Sequence, residues 1–242
     1  MAFSLNIRVL ILAIILIPVL LSLGQWQLRR AAEKQTILDK VDARWAQAPV
    51  NFDSLAIDED LAFIPVRIKG SYDVGHMFLL DNRVRAGLVG YEVLVPLLTD
   101  NGVWVLINCG WTEAPPLRSQ LPYLPNLPRE PLSLTARVYV PPGDGFQLQE
   151  DSMSVEQWPH TLQTVDMEKI AQLLSRPMFP YQLRLEASEP GALLIDWQPI
   201  NQSPAKHHAY ALQWFAMAIA LIIWLLAASF SRKTTSNQKD AD

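Results

Sequence analysis

Two long apolar runs near the ends of the chain constrain its fold more than any other feature. The first, "VLILAIILIPVLLSL" at 9–23, is extended on its N-terminal side by Leu5 and Ile7, and the second runs from Ala209 to Phe230 without a formal charge. A helix rising about 1.5 Å per residue needs roughly 20 such residues to cross a hydrocarbon core about 30 Å thick, so each run predicts a transmembrane helix. Pro18 falls inside the first, where it is expected to kink a spanning helix without forbidding it. A cleaved signal peptide is the alternative for that run. The following "SLGQWQLRR" lacks a small-x-small cleavage site and brings a bulky Trp26 and an arginine pair at once, which favours an uncleaved anchor.

Two spans put both termini on one side of a membrane and residues 24–206 on the other. The predicted order is a transmembrane helix at 5–24, a membrane-exit helix at 25–48, a β-rich domain at 49–206, a second transmembrane helix at 207–230 and a polar tail at 231–242. Charge does not orient this hairpin. Arg8, Arg232, Lys233 and Lys239 on the tails face Arg29, Arg30, Lys34, Lys40 and Lys206 on the loop flanks, and long translocated domains largely escape the positive-inside rule.

Between the spans the pattern changes once. "QWQLRRAAEKQTILDKVDARWAQ" has neither Gly nor Pro and spaces its apolar residues helically, with Trp26, Arg30 and Lys34 four apart. Beyond Pro49 come short β-branched or aromatic runs bounded by turn residues: "FIPVRIKGSYD", "MFLLDNR", "GYEVLVPLL", "GVWVLINCGW", "LSLTARVYVP", "YQLRLEA" and "ALLIDWQ". "TDNG" at 99–102 reads as a hairpin turn. The fold class expected is an α+β membrane protein, two transmembrane helices flanking a β-rich domain built as an antiparallel sheet or a barrel-like closure. One short helix is expected at Asp166–Leu174 with Asp166 as its N-cap. The proline-rich stretch 115–131 reads as an extended connector over the sheet.

Composition excludes several functions. With 20 Lys and Arg against 24 Asp and Glu, and a net charge of -4, the chain has no basic stripe for nucleic acid. Its one cysteine, Cys109, forms no intrachain disulfide and no two-cysteine metal or redox motif. There is no phosphate loop, no G-x-S-x-G elbow and no H-E-x-x-H, and catalysis is not expected. Only four histidines occur: His76, His160, His207 and His208. Adjacent positions on a helix point about 100° apart, so His207 and His208 make a poor bidentate site, but one of them alone can be an axial haem ligand. His207, Tyr210, Ala211, Trp214 and Ala218 share one helical face. That face is either an interfacial aromatic belt or an imidazole above an apolar trough. Arg83 and Arg85 either bind an acidic group or decorate a hairpin shaped by Gly87 and Gly90. Trp104, Trp111, Trp158 and Trp197 read as packing aromatics, and Cys109 as a small buried hydrophobe.

Four fragments, in order, resemble the Surfeit locus protein 1 family. "LGQWQLRRAAEK" is similar to that family's exit from the first span through Leu23, Gly24, Trp26, Gln27, Arg30 and Lys34. "DNRVRAGLVGYEVLVPL" resembles its N-R…G-x-x-G-Y motif through Asn82, Arg83, Gly87, Gly90, Tyr91, Val93, Pro96 and Leu97. "VLINCGW" resembles V-L-V-N-R-G-W, and "HHAYALQWF" resembles H-x-x-Y-A-x-x-W through His207, Tyr210, Ala211 and Trp214. Two positions depart from the pattern: Val95 replaces a threonine and Cys109 an arginine.

The resemblance implies a non-enzymatic assembly factor for haem-copper cytochrome c oxidase, assisting haem a delivery or insertion into the large catalytic subunit. It implies a bacterial inner-membrane protein with a periplasmic central domain and cytoplasmic termini. His207 is then the expected axial ligand of a transiently held haem a, with Tyr210 and Trp214 shaping its pocket. Trp26 and Arg30 are expected opposite on the first span, Arg30 toward a propionate. The partners expected are the oxidase catalytic subunit, the lipid bilayer and the haem a synthesis machinery, with no nucleic acid. Lack of a cysteine pair disfavours a copper-delivery factor, which needs soft thiolates. The alternatives are a scaffold that stabilises an oxidase intermediate without touching haem, and a membrane-anchored periplasmic enzyme.

Overall fold

The computed structural model describes residues 7–57, 60–141 and 158–231. The expected tail at 231–242 therefore lies outside the described residues beyond Ser231. The chain divides into two compact units, one of residues 1–40 with 198–242 and one of residues 41–197.

The first unit is a pair of helices. Helix α1, Ile7–Trp45, runs 39 residues through Pro18 without interruption. At about 1.5 Å per residue that is roughly 58 Å, close to twice a hydrocarbon core, so the apolar run and the mixed run after it form one continuous helix. The last helix, Pro204–Ser231, starts at a proline, whose missing N–H costs nothing in a first turn. These are the helices long and apolar enough to cross a membrane among the described residues, in keeping with a membrane protein of two spans.

The second unit is β-rich. Strands β1 (Val50–Asn51), β2 (Pro65–Tyr72), β3 (Phe78–Arg85), β4 (Leu88–Thr99), β5 (Trp104–Glu113), β6 (Leu132–Tyr139), β7 (His160–Leu162) and β8 (Met178–Leu185) form one sheet. Five of them close into a ring. β2 pairs with β6, β6 with β8, β5 with β4 and β4 with β2, all antiparallel, while β8 pairs with β5 in parallel. Gly70 makes the closure possible, because it pairs with both Leu132 on β6 and Thr99 on β4. A Cβ there would lie 2.2 Å from the Leu98 carbonyl oxygen. Outside the ring, β3 lies on β4, β7 lies parallel on β3, and β1 lies parallel on β2.

Alternation along the strands fills the ring. Val66 and Ile68 of β2, Val93, Val95 and Leu97 of β4, and Val105, Ile107 and Cys109 of β5 belong to one buried core. β4 is buried on both faces, which explains its unbroken apolar run. Leu94 turns outward into a second core with Phe78, Leu80, Leu106, Leu162 and Ile170. Ile170 belongs to helix α2, Met167–Leu174, which covers that outer face. α2 starts as its residues require: Asp166 Oδ1 accepts from the backbone N–H groups of Glu168 and Lys169. The last helix is α3 in chain order. The hairpin at 99–102 closes with Gly102 N–H donating to Thr99 O at 2.9 Å and Gly102 at φ 81°. "ALLIDWQ" forms no strand beyond a bridge from Leu194 to Trp111. The proline-rich connector has neither helix nor strand, and Leu124 and Leu127 pack from it onto the ring core.

Candidate functional site

Buried positions on both long helices recur every three or four residues. On α1 the seam is Ala13, Ile17, Leu20, Gly24, Gln27 and Ala31; on α3 it is His207, Ala211, Trp214, Ala218, Leu221 and Leu225. Steps that alternate three and four average 3.5, the period that keeps one stripe against a partner helix. Small residues on the stripe allow close approach. At Gly24 an added Cβ would meet the Phe215 ring at 2.5 Å.

His207 sits on this seam, 9% exposed. Its Nδ1 lies 2.8 Å from Gln27 Oε1. An amide oxygen only accepts, so in this contact Nδ1–H is the donor, and in the tautomer that donates this way the lone pair is on Nε2. A carbonyl partner of this kind is how metal-ligating imidazoles are commonly fixed in one tautomer and one orientation.

The other expected residues are distributed differently. Trp214 is half-buried on the seam, whereas Tyr210 at 48% and Trp26 at 44% exposure lie off it. Arg30 is exposed, ion-paired with Glu33 at 2.8 Å and placed 5.9 Å over the Trp26 ring. His208 is exposed. Gln27, which the structure brings to His207, stands inside the quoted motif "GQWQLRR". Its signal is the spacing of three from Gly24 and four to Ala31.

The β-rich unit holds a cavity of about 840 Å³, walled by β3, β4, β8 and the start of α2. Among the described residues no group of three or more His, Cys, Asp or Glu is placed to hold a metal ion.

The SURF1 family model matches residues 14–219, covering most of α1, the strand unit and the first part of α3. The chain belongs to the SURF1 family. A SURF1-like protein of Rickettsia felis is 25% identical over 228 residues, covering 88% of this chain and 93% of the relative. Uncharacterised SURF1-like proteins of Mycobacterium bovis and Mycobacterium tuberculosis are each 25% identical over 220 residues, covering 84% of this chain and 75% of theirs.

In this SURF1 family chain the motif residues of the strand unit converge on one end of the ring. Trp111 Nε1 donates to the Arg83 carbonyl at 2.6 Å. Gly90 lies under that indole, where a Cβ would come within 2.4 Å of it. Asn108 Nδ2 donates to Glu92 Oε2 at 2.8 Å and to Gln182 Oε1 at 3.1 Å, and Asn108 Oδ1 accepts from Gly110 N–H. Arg85 donates to Glu92 at 3.3 Å. The buried Glu92 carboxylate is thus held by a guanidinium and an amide, as a charge out of water must be. Arg184 lies behind it, and burial draws its pKa down while Glu92 opposes the fall.

Proposed function

We propose that the protein is an assembly factor for haem-copper cytochrome c oxidase, holding haem a at the bilayer edge through His207 and assisting its delivery to the catalytic subunit. The observation that carries this reading is the Gln27–His207 hydrogen bond, which engages Nδ1 of a buried imidazole and leaves Nε2 out of that bond. That nitrogen is the donor an axial haem ligand needs. Small and aromatic residues of the seam, Ala211, Trp214 and Gly24, supply apolar surface nearby. Haem a brings a flat apolar macrocycle that is sheltered from water only in such surroundings. A single neutral imidazole forms a reversible bond, suited to cargo that is handed on.

In this reading the protein lies in the bacterial inner membrane with the strand unit in the periplasm and both termini in the cytoplasm. It performs no turnover chemistry; the partners are the oxidase catalytic subunit and the haem a synthesis machinery. The visible spectrum of the protein purified from cells making haem a tests it. A haem band is expected in wild type and lost in His207→Ala; its absence from wild type, or its persistence in that variant, would defeat the haem-ligand reading. Gln27→Leu is expected to keep the band but weaken haem retention several-fold, because the tautomer is no longer fixed. Oxidase haem a content in cells lacking the protein checks the assembly role independently.

A further inference from the structure

The arginines at the cavity in the strand unit have more charge and more N–H groups than their surroundings satisfy. β3 carries one extra residue against β4, since Leu80 pairs with Glu92 and Arg83 with Gly90. The bulge centres on Asn82, a non-glycine residue at φ 57°. In a regular strand residues 80 and 82 share a face; the extra residue instead turns Arg83 and Arg85 onto the face of Leu80. Leu80 and Arg83 both line the cavity, together with Arg184 and Gln182 from β8.

Three guanidiniums, of Arg83, Arg85 and Arg184, surround the single carboxylate Glu92, which Arg85 and Asn108 already engage. Among the described residues neither Arg83 nor Arg184 makes an ion pair, and the buried Nε of all three arginines has no hydrogen-bond partner. The other carboxylates on the wall do not answer them. Asp166 caps α2 and lies 3.7 Å from Lys169, and Glu168 is exposed to solvent. Partly buried cations with orphaned donors are costly unless an anion completes them. The rings of Tyr139 and Trp197 lie 3.6 and 4.7 Å from the Arg184 guanidinium, so it bonds along its planar edge. A planar fork matches a flat carboxylate. Leu80, Met167, Met178 and Tyr181 add apolar wall.

We propose that this cavity binds an organic carboxylate, gripped by Arg83 and Arg184, with its apolar body against Leu80, Met167, Met178 and Tyr181. The site is separate from His207 and stands whether or not that residue ligates haem. The carboxylate is either a free organic acid or an acidic side chain of a peptide.

The test titrates the full chain in detergent with 3-phenylpropionate, its neutral amide, phenyl phosphate, and the capped peptide acetyl-Phe-Glu-Phe-amide, followed by calorimetry. Saturable binding of the acid or the peptide, none of the amide, and at least tenfold weaker binding in Arg83→Gln and Arg184→Gln are expected. The tighter of the two carboxylates names the source. If Arg184→Gln does not fold, Arg83→Gln, at the half-buried bulge, decides. Equal binding of the amide, tighter binding of phenyl phosphate, no binding of either carboxylate, or unchanged affinity in folded Arg83→Gln would each overturn the proposal.

Discussion

Cys109 stands where the family pattern has arginine, and its surroundings tolerate only something small and apolar. Val105, Ile107 and Cys109 alternate into the ring, each 0% exposed. Burial pushes the thiol up to about 12, so at neutral pH it is protonated and inert. A thiol reagent is therefore expected to leave the native protein unlabelled and to react once it is unfolded; prompt labelling of the native form would contradict the burial. Cys109→Arg would bury an unpaired charge at a cost of about 3 kcal/mol or more. Asp73 shows the opposite electrostatics. Burial works to raise its pKa, but bonds from Arg176 at 2.6 Å and His76 at 2.8 Å hold the carboxyl below its usual range. A carboxyl depressed in the folded state adds stability that is complete above its unfolded value, about 4, and fades as pH falls through the folded value. Asp73→Asn is expected to cost about 1–2 kcal/mol near neutrality. In denaturant unfolding, that gap should close as the pH is lowered from about 5 to about 2. A gap that persists in acid would mean the ion pairs carry none of it.

The packing of α1 and α3 shows why part of the site was legible and part was not. His207, Ala211, Trp214 and Ala218 follow the three–four alternation and all lie on the seam. Trp26, Arg30 and Lys34 are spaced by four and four, a rhythm that rotates about 40° past a full turn at each step. Trp26 and Arg30 accordingly end up exposed, and Gln27, one residue along, faces His207. Its polarity concealed it, since a glutamine at a membrane boundary looks like a solvated flank until its partner 180 residues away is placed. β2 to β6 and β8 overlap the β-branched or aromatic runs of the sequence, and α2 showed through its aspartate cap. β1 and β7, two and three residues long, gave no pattern to read. "ALLIDWQ" did not become a strand, because its contact with β5 is confined to the Leu194–Trp111 bridge and the Leu193 N–H bond to Cys109 O. At Gly24 the neighbouring helix leaves no room for a side chain, with the Phe215 ring 2.5 Å from an added Cβ. Gly24→Leu is expected to lower stability by about 1–3 kcal/mol, read as a lower Tm in detergent. A variant that melts with wild type would show that the pair does not depend on this contact.

For the molecule as a whole, closure of the ring decides whether the strand unit has a core at all. Its signal in the sequence is slight, because one glycine in "RIKGSYD" must face two neighbours and nothing local says so. Gly70→Val would drive a side chain into the Leu98 carbonyl, a backbone atom that cannot swing away. A loss of about 3 kcal/mol or more is expected, seen as protease cleavage within residues 41–197 under conditions where wild type resists. Resistance equal to wild type would mean that the ring closes some other way.

The count of strands has its own consequence. In a circle of neighbours that all run opposite to one another, the number must be even. Five is odd, so at least one joint has to run in the same direction on both sides, and here it is β5 with β8. Strands aligned in parallel cannot be joined by a tight turn; the chain must leave one end and travel back to the other. That return leg is β6, which runs antiparallel to β8; α2 lies in the later link from β6 to β8, and its start lines the cavity beside β8. The arithmetic is thus met by β6, and the helical segment that walls the cavity is an insertion the strand count does not demand.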